Sequence, residues 1–586
     1  MREQLHFADT KSQRPVTIGE YPYYRAAPEA WLGNLAAMKD CGIDVVSFYI
    51  PWRFHEVWTE GGARFDFSGI GSAQRNVIGL LEHLARLGLG AIVKPGPFIH
   101  AEVQLGGLPD RMCSSQFSSY VDLRGERLRS QGQGLPSFFD PTARAQMAAW
   151  LSAVDQSIVR PYSEPGGPIV GVQIGNEGIY GDAGLPLERS DASQYAEAAF
   201  VAWLEKSELS AEQWPDVREV AHWSPANWQA WGKWVGVSLI ENWDWISSFF
   251  PKAILKTVNV PLVQLDTPTS AFGAWLVHQE AARRTSYWRG HTEWIGDASS
   301  DKRIFLAHII GIQLGNSHIA EANWGFTWTQ KRFAEPGVPL FHSLLGLILG
   351  SRSCSVYTAC ATETWGADID LDAKGLKSDG FEPKLFGPPY CPGAPLHENG
   401  ARNPNADSLS RLTKFVQLFG EELAATTLVC AEDRLIATER IHRFSGSRDP
   451  VLDDLFREVE TRLFDRGELL GLRIADPAKD NSCEKPNAYR GSSSNIPRLR
   501  SKGGLTAVVQ RRSDDARRIF CGIFNPSDGA DQVHITTSVG ERELIMRAGA
   551  AAIIYFVDGR EIAMLSTDEQ HGTFSPVPND NAPELT

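Results

Sequence analysis

The chain has 586 residues, of which 42% are hydrophobic and 22% are charged, and its formal net charge is -14 at pH 7. This length is too great for a single hydrophobic core, so about two to four domains of ordinary soluble composition are expected. The negative charge argues against nucleic acid or an anionic membrane as the main partner, because both are bound through basic patches.

The first residues and the cysteines bear on where the protein works. Residues 1–7 lack the apolar run of a secretory signal, and no run of about 18 apolar residues predicts a membrane span. The eight cysteines form no CxxC pairs, which is typical of reduced thiols rather than of a disulfide framework. A cytoplasmic location is therefore predicted, while no oligomeric state is derived from the sequence.

Common cofactor and nucleophile motifs are absent from the sequence. It contains no HExxH, GxSxG or P-loop pattern, and no group of ligand-type residues shows metal-binding spacing. The sequence therefore gives no support for a metalloprotease, a serine hydrolase or a protein that uses nucleoside triphosphates. Neither a metal ion nor a cofactor is expected.

Helix and strand patterns alternate along the first 360 residues. Apolar residues recur at helical spacing over 28–41, and a strand pattern follows at 44–49. The same order recurs at 77–94 and again over 147–177. About eight such units fit the available length, so the sequence predicts an α/β fold, a (β/α)8 TIM barrel. A doubly wound open sheet is the alternative, although no glycine-rich phosphate loop supports it.

The rest of the chain predicts a different organisation. We expect the barrel to occupy 1–410, including a long Gly-, Pro- and Asp-rich loop over 363–410 that could cover the site. A mixed α/β segment is predicted for 411–500. Strand patterns dominate 501–565, which predicts a small β-sandwich-like module, and 566–586 is expected to be a flexible tail.

Two acidic residues stand at the ends of predicted barrel strands, where the active sites of such barrels lie. The apolar run 167–175 ends in Asn176 and Glu177, and the run 317–320 leads to Glu321. Retaining glycoside hydrolysis needs two carboxyls roughly 5–5.5 Å apart, one a general acid and the other a nucleophile. We expect Glu177 to be the acid, with a pKa raised by burial and by the charge of Glu321. Glu321, kept ionised, is expected to be the nucleophile.

Five segments together resemble glycoside hydrolase family 35, a β-galactosidase family among the retaining (β/α)8 glycosidases. The first four stand in order on successive predicted units, and the match covers roughly residues 15–410. The five segments are 18–31, 46–56, 94–109, 173–177 and 394–400.

The resemblance implies roles for particular side chains. Glu177 is then the acid/base, and Asn176 bonds the sugar 2-hydroxyl. Tyr49 and Glu102 are expected to line the subsite for the terminal sugar. A tyrosine on the eighth strand, Tyr357, is expected to lie against the nucleophile.

The sequence departs from the family pattern around the nucleophile. Glu293 is a rival for that role, because its distance from Tyr357 along the chain is nearer the family's spacing. We prefer Glu321, because its strand follows a convincing helix over 304–314, whereas the residues at 287–291 predict a poor buried strand. The family's Gly-rich sequence after the eighth strand is also missing, which leaves the sugar open.

The predicted function is a retaining exo-β-glycosidase, β-galactosidase-like, that releases a terminal sugar from a small oligosaccharide or glycoside. Three alternatives remain. The same site is compatible with a β-glycosyltransferase that transfers the sugar to another sugar hydroxyl. It is also compatible with a β-glucosidase or glucosaminidase. A sugar-binding protein without catalysis is the third.

Overall fold

The structure is a computed structural model that describes residues 14–207, 217–263, 270–315, 317–327, 330–362, 377, 389–436, 450–475 and 496–568. The long loop predicted for 363–410 therefore lies within the described residues only at 377 and from 389 onward. The tail predicted for 566–586 lies within them only as far as 568. Among the described residues, no helix has both the length and the apolar character needed to cross a membrane.

Eight parallel strands close into a barrel, each paired with the next along the chain and the eighth with the first. Helices cover the outside, so most strands are buried on both faces and read as short apolar runs rather than as alternating patterns. The prediction of a (β/α)8 barrel is confirmed. The strands are β1 (Val16–Glu20), β2 (Val45–Tyr49), β3 (Gly90–Lys94), β4 (Ile169–Gln173), β5 (Leu255–Pro261), β6 (Trp288–Thr292), β7 (His318–Asn323) and β8 (Ser353–Tyr357).

Capping groups fix the ends of some of the longer helices of the barrel. In the helix Val77–Leu87, the side chain of Asn76 accepts the N–H of Gly79 at the start, and Gly88, at φ 73°, ends the helix. The helices are α1 (Pro28–Asp40), α2 (Val77–Leu87), α3 (Pro141–Val154), α4 (Gln194–Lys206), α5 (Pro225–Ser247), α6 (Ser270–Arg284), α7 (Lys302–Gly315) and α8 (Gly337–Leu349).

Strand β6 corrects one expectation from the sequence. Residues 287–291 predict a poor buried strand, yet Trp288–Thr292 pairs with β5 on one side and β7 on the other. Its polar side chains are tolerated because they find partners across the barrel wall. His291 Nδ1 lies 2.9 Å from Ser317 Oγ, and the hydroxyl of Thr292 reaches a carboxyl at the barrel mouth.

The C-terminal part contains two antiparallel sheets, of which the five-stranded one packs against the barrel. Two helices belong to this part, α9 (Asn405–Ala424) and α10 (Pro450–Glu460). Its strands are β9 (Thr427–Leu428), β10 (Glu432–Ile436), β11 (Leu470–Ile474), β12 (Arg498–Ser501), β13 (Ala507–Arg512), β14 (Arg518–Phe524), β15 (Asp531–Thr537), β16 (Gly540–Met546), β17 (Ala551–Val557) and β18 (Arg560–Ser566). The five-stranded sheet has the order β9, β13, β14, β17, β18, the three-stranded sheet has the order β12, β15, β16, and β10 and β11 form a separate parallel pair.

Strand β14 is buried on both faces. Phe520 and Phe524 belong to a core that continues into the barrel helices, and the ring of Phe524 lies 5.3 Å from that of Phe341 in α8. Ile519 and Ile523, on the opposite face, form a separate core with the three-stranded sheet. Because side chains alternate along a strand, one strand thus joins the sandwich to the barrel.

Candidate active site

Parallel strands end at one mouth of the barrel, and several polar side chains meet there. Tyr49 and Tyr357 are the last residues of β2 and β8, Glu321 lies within β7, and Glu177 follows β4. Thr292 is paired with Glu321 in register and donates a hydrogen bond to Glu177 Oε1 at 2.5 Å. The two carboxyls preferred from the sequence therefore lie at the same mouth.

Glu321 is held by three donors. Its Oε1 accepts hydrogen bonds from the Tyr49 hydroxyl at 2.6 Å and from Lys94 Nζ at 3.1 Å. Its Oε2 lies 3.4 Å from the indole nitrogen of Trp294. The side chain is buried, so these donors and the lysine cation replace water in stabilising its negative charge. This environment suits a carboxylate that must stay ionised and fixed in position.

Lys94 joins two buried carboxylates. Its ammonium lies 2.8 Å from Glu20 Oε2 and 3.1 Å from Glu321 Oε1. Burial lowers the pKa of Lys94, but the two carboxylates outweigh that effect and hold it above its usual value. Burial raises the pKa of Glu20, against the pull of Lys94 and of Ser47, whose hydroxyl lies 2.5 Å away. The lysine therefore stays charged beneath the site.

Asn176 is the centre of a second network. Its Oδ1 lies 2.9 Å from the Tyr49 hydroxyl and accepts from Asn259 Nδ2 at 3.0 Å, while its Nδ2 donates to the carbonyl of Ile99 at 2.8 Å. Asn259 also accepts the backbone N–H of Glu177 at 2.7 Å. Strands β2, β4 and β5 thus fix the side chain that precedes Glu177.

Glu177 has an environment opposite to that of Glu321. The residue is half-buried at the mouth, and its backbone is left-handed, with φ 49°. Removal of the carboxyl from bulk water, followed by the negative charge of Glu321, raises its pKa to about 7, although the hydrogen bond from Thr292 opposes this. A carboxyl of this kind holds a proton near neutral pH and can give it up.

Glu102 and Tyr357 meet through a residue that the sequence did not indicate. The hydroxyl of Tyr390 donates to Glu102 Oε2 at 2.6 Å and lies 3.0 Å from the hydroxyl of Tyr357. Burial raises the pKa of Glu102, and the bond from Tyr390 opposes that rise. The ring of Tyr357 packs edge-on against Trp294 at 5.4 Å, so it lies one side chain away from Glu321.

The backbone that carries Glu102 is strained. His100, Ala101 and Glu102 have positive φ angles of 56°, 51° and 47° in succession. Each such residue costs about 1–2 kcal/mol when it is not glycine, so the surrounding contacts must hold the segment in place. Arg25 supplies two of them by donating to the carbonyls of Ala101 and Glu102.

Glu293, the rival nucleophile, lies elsewhere. Side chains alternate along an extended chain, so Thr292 and Trp294 face the mouth while His291 and Glu293 face the helix layer. The Glu293 carboxylate is 3.5 Å from His291 Nε2 and 4.0 Å from His342 Nδ1 of α8. Its contacts are therefore with histidines and not with the network around Tyr49.

The site includes six residues to which the sequence assigned no role. Only one left a signal, a lysine at the end of the apolar run 91–94 that forms β3. The others have roles that depend on partners far away in the chain. The residues passed over are Glu20, Lys94, Asn259, Thr292, Trp294 and Tyr390.

Comparison with known families places this chain among carbohydrate-active proteins. The model of glycosyl hydrolases family 35 matches residues 7–308 of the 586, just over half of the chain. An exo-beta-D-glucosaminidase of Thermococcus kodakarensis is 34% identical over 177 residues, which is 28% of this chain and 21% of that protein. A human protein named beta-galactosidase-1-like protein 2 is 33% identical over 159 residues, 27% of this chain and 21% of its own length.

A third relative carries a different name. A beta-1,2-glucosyltransferase of Ignavibacterium album is 33% identical over 161 residues, 27% of this chain and 22% of that protein. The chain thus spans about a fifth of the length of the curated relatives it matches.

Solved structures resemble most of the chain in fold. A GH42 beta-galactosidase from G. stearothermophilus matches with a TM-score of 0.63 at 10% identity, covering 93% of this chain and 99% of that one. The beta-galactosidase of Bacillus circulans matches with a TM-score of 0.56 at 13% identity, covering 79% and 66%. At such low identity these likenesses show the fold alone.

Proposed function

This chain belongs to glycosyl hydrolases family 35, and from that premise we propose that it is a retaining exo-β-glycosidase releasing the terminal sugar of small β-glycosides. The observation that supports the proposal most is the contrast between two carboxyls at one mouth. Glu321 is held as an anion by Lys94 and Tyr49, while the pKa of Glu177 is raised to about 7 by burial and by that anion. One carboxyl is thus suited to attack and the other to protonation.

In the proposed first step, Glu321 attacks the anomeric carbon as the bond to the leaving oxygen breaks. Glu177 gives its proton to that oxygen, and a glycosyl ester forms on Glu321. In the second step, Glu177 takes a proton from water, the water oxygen attacks the anomeric carbon, and the ester bond breaks. Two inversions return the original configuration.

The loss of charge on Glu321 links the two steps. Once Glu321 is an ester, it no longer raises the pKa of Glu177, so Glu177 can lose its proton and act as a base. Lys94 keeps Glu20 as a partner at 2.8 Å in both states, so no buried cation is left unpaired. The shared lysine therefore supports the cycle without moving.

We propose that the substrate is a β-galactoside, a β-glucoside or a β-glucosaminide, in line with the names of the relatives. Glu102 and Asn176 are the polar groups we propose for sugar hydroxyls. We further propose that catalysis belongs to the barrel within 1–410, while the segments 411–500 and 501–565 pack against the helices α7 and α8 and stabilise the barrel.

The test is a panel of nitrophenyl β-galactoside, β-glucoside and β-glucosaminide, with the first product anomer followed by proton NMR. We expect release from at least one of them, with the β-anomer appearing before mutarotation. A first product with α configuration would contradict the retaining mechanism. Absence of release from the whole panel would instead favour a sugar-binding protein without catalysis.

A transferase is the second candidate, supported by the relative named beta-1,2-glucosyltransferase. It would use the same glycosyl ester, which a sugar hydroxyl would capture in place of water. Repeating the panel with glucose as acceptor separates the two functions. Disaccharide formed faster than free sugar would assign transfer as the main reaction, and free sugar in excess would assign hydrolysis.

The raised pKa of Glu177 predicts the alkaline limb of the pH profile. The protonated form, which the first step needs, predominates below a pKa of about 7 and is lost above it. We expect kcat/KM for a substrate with a sugar leaving group to fall about tenfold per pH unit above this value. A dinitrophenyl glycoside, whose leaving group needs no proton, serves as the control and should lack that limb. Constant kcat/KM on the sugar substrate up to about pH 9 would contradict the assignment.

A further inference from the structure

A second cluster of ionisable side chains lies outside the active site, between β6 and the helices α7 and α8. His291 lies in β6 and Glu293 directly after it, while His308 lies in α7 and His342 in α8. All four are buried, with relative exposures of 0% or 1%. The cluster therefore joins three elements of the barrel wall in a place that bulk water does not reach.

The polar atoms of this cluster lack hydrogen-bond partners. Among the described residues, neither carboxylate oxygen of Glu293 has a hydrogen-bond partner. Three ring nitrogens also lack one, namely His291 Nε2, His308 Nε2 and His342 Nδ1. A buried carboxylate without donors costs several kcal/mol, and each unsatisfied ring nitrogen adds to this cost. Five such atoms facing one another indicate a site that binds something positively charged.

The tautomer of His308 fits a metal ion. His308 Nδ1 lies 2.9 Å from the carbonyl of Ile304, which can only accept, so Nδ1 carries the proton and Nε2 presents its lone pair to the cluster. His291 Nδ1 is engaged with the hydroxyl of Ser317 at 2.9 Å, which likewise leaves Nε2 facing Glu293. Fixing one ring nitrogen by a hydrogen bond is how proteins orient metal-binding histidines.

His342 has a carboxylate behind its ring. Its Nε2 accepts the backbone N–H of Ala298 at 3.1 Å and lies 3.6 Å from Asp297 Oδ1, while Nδ1 faces Glu293. Binding an ion on Nδ1 therefore requires the ring proton to move to Nε2, toward Asp297, and breaks the hydrogen bond from Ala298. A histidine ligand backed by a carboxylate is a recurring arrangement at zinc sites.

The distances approach those of a zinc site. Ligand atoms of Glu293, His308 and His342 all lie within 4.8 Å of one another, and His291, outside that group of three, has its Nε2 3.5 Å from Glu293 Oε1. Two ligands bound to tetrahedral zinc at about 2.0–2.1 Å are about 3.3 Å apart, so binding would draw the ligand atoms inward by up to roughly 1.5 Å. Three neutral imidazoles and one carboxylate also form a donor set typical of this metal.

We propose that the chain binds one divalent transition metal ion, zinc foremost, through Glu293, His308 and His342, with His291 as the fourth ligand. Because protein groups fill all four positions and the site is buried, the ion has a structural role. It would fasten β6 to α7 and α8, and β6 leads to Thr292 and Trp294, which contact Glu177 and Glu321. The site is independent of the glycosidase proposal.

The test is the metal content of the 586-residue chain, purified without a histidine tag and dialysed first against buffer containing zinc and then against metal-free buffer. Elemental analysis by mass spectrometry should find about one zinc ion per chain in the wild type. The variant His308→Gln should hold at least tenfold less. The matched control is His278→Gln, a buried histidine outside the cluster whose Nδ1 lies 2.8 Å from the carbonyl of Ala183, and it should retain the ion.

A second measurement covers the case in which His308→Gln does not fold. Wild-type protein treated with a chelator should regain thermal stability on addition of zinc but not of magnesium, and cobalt should give the visible absorption of a tetrahedral ion. No bound zinc and no zinc-dependent shift in the wild type would overturn the proposal in favour of a protonated histidine paired with Glu293. Equal zinc in the wild type and in folded His308→Gln would overturn it as well.

Discussion

Replacing Glu177 by glutamine is expected to reduce kcat/KM for substrates with sugar or alkyl leaving groups by about 10²–10⁴-fold. The amide has no proton to give to the leaving oxygen, although it preserves the shape of the side chain. Aryl glycosides with dinitrophenyl leaving groups should be cleaved in the first step at nearly the wild-type rate. The measurement is a series of aryl β-glycosides of graded leaving-group acidity, with log kcat/KM plotted against the pKa of the phenol.

The matched control is Asp191→Asn, which makes the same chemical change at a buried carboxyl whose hydrogen bonds are with Ser137 and Ser193 rather than with Glu177 or Glu321. Burial raises the pKa of Asp191 to about 6, and its Oδ2 accepts from the hydroxyl of Ser137 at 2.6 Å. This variant should keep the shallow leaving-group dependence of the wild type. Equal losses across the whole series for Glu177→Gln would contradict its role as the acid.

Replacing Glu321 by glycine is expected to abolish hydrolysis, with kcat lower by on the order of 10⁴-fold or more, because removal of a covalent nucleophile leaves only binding and acid catalysis. The fold should survive, because Lys94 keeps its ion pair with Glu20. The measurement is kcat on the preferred nitrophenyl glycoside, together with the melting temperature of the variant. A kcat within tenfold of the wild type would contradict the assignment.

Glu293→Gly is the comparison variant for this prediction. Its carboxylate faces His291 and His342, so its loss is expected to weaken the metal site and the stability of β6 rather than the chemistry. Folded Glu293→Gly should therefore retain hydrolysis at a temperature well below its melting point. Together the two variants separate the preferred nucleophile from its rival.

Periodicity in the sequence was sufficient to predict the barrel. Helical stripes that end at glycine, such as Val77–Leu87 before Gly88, and short apolar strands such as Gly90–Lys94 follow from local chemistry. The likeness of this architecture to β-galactosidases of solved structure, at 10–13% identity, shows how little of it depends on particular side chains. Strand β6 was not predicted, because most of its residues are polar and the partners that allow them to be buried lie on other segments of the chain.

The site was predictable only in part. Asn176 and Glu177 come just after one strand and Glu321 lies near the end of another, where a carboxyl or amide beside an apolar run is conspicuous. The bond from Tyr390 to Glu102 and the ion pairs of Lys94 join segments far apart in the sequence. No local pattern encodes such contacts, because they depend on how the strands are arranged around the barrel.

The metal cluster illustrates the same limit. His291 and Glu293 are two residues apart, so they share a face only if the segment is a strand, and that strand was not expected. His308 and His342 lie on two different helices and are separated by 34 positions in the sequence. This spacing matches no common zinc motif. Only the closure of the barrel brings the three segments together.

The most direct test of the central claim, that Glu321 carries the sugar and Glu177 protonates the leaving group, is rescue by azide. Glu321→Gly should regain turnover of a dinitrophenyl β-glycoside in the presence of azide and give the α-glycosyl azide, since the small anion enters from the face that the carboxylate occupied. Rescue of Glu293→Gly in place of Glu321→Gly, or a β-glycosyl azide from Glu321→Gly, would contradict the account.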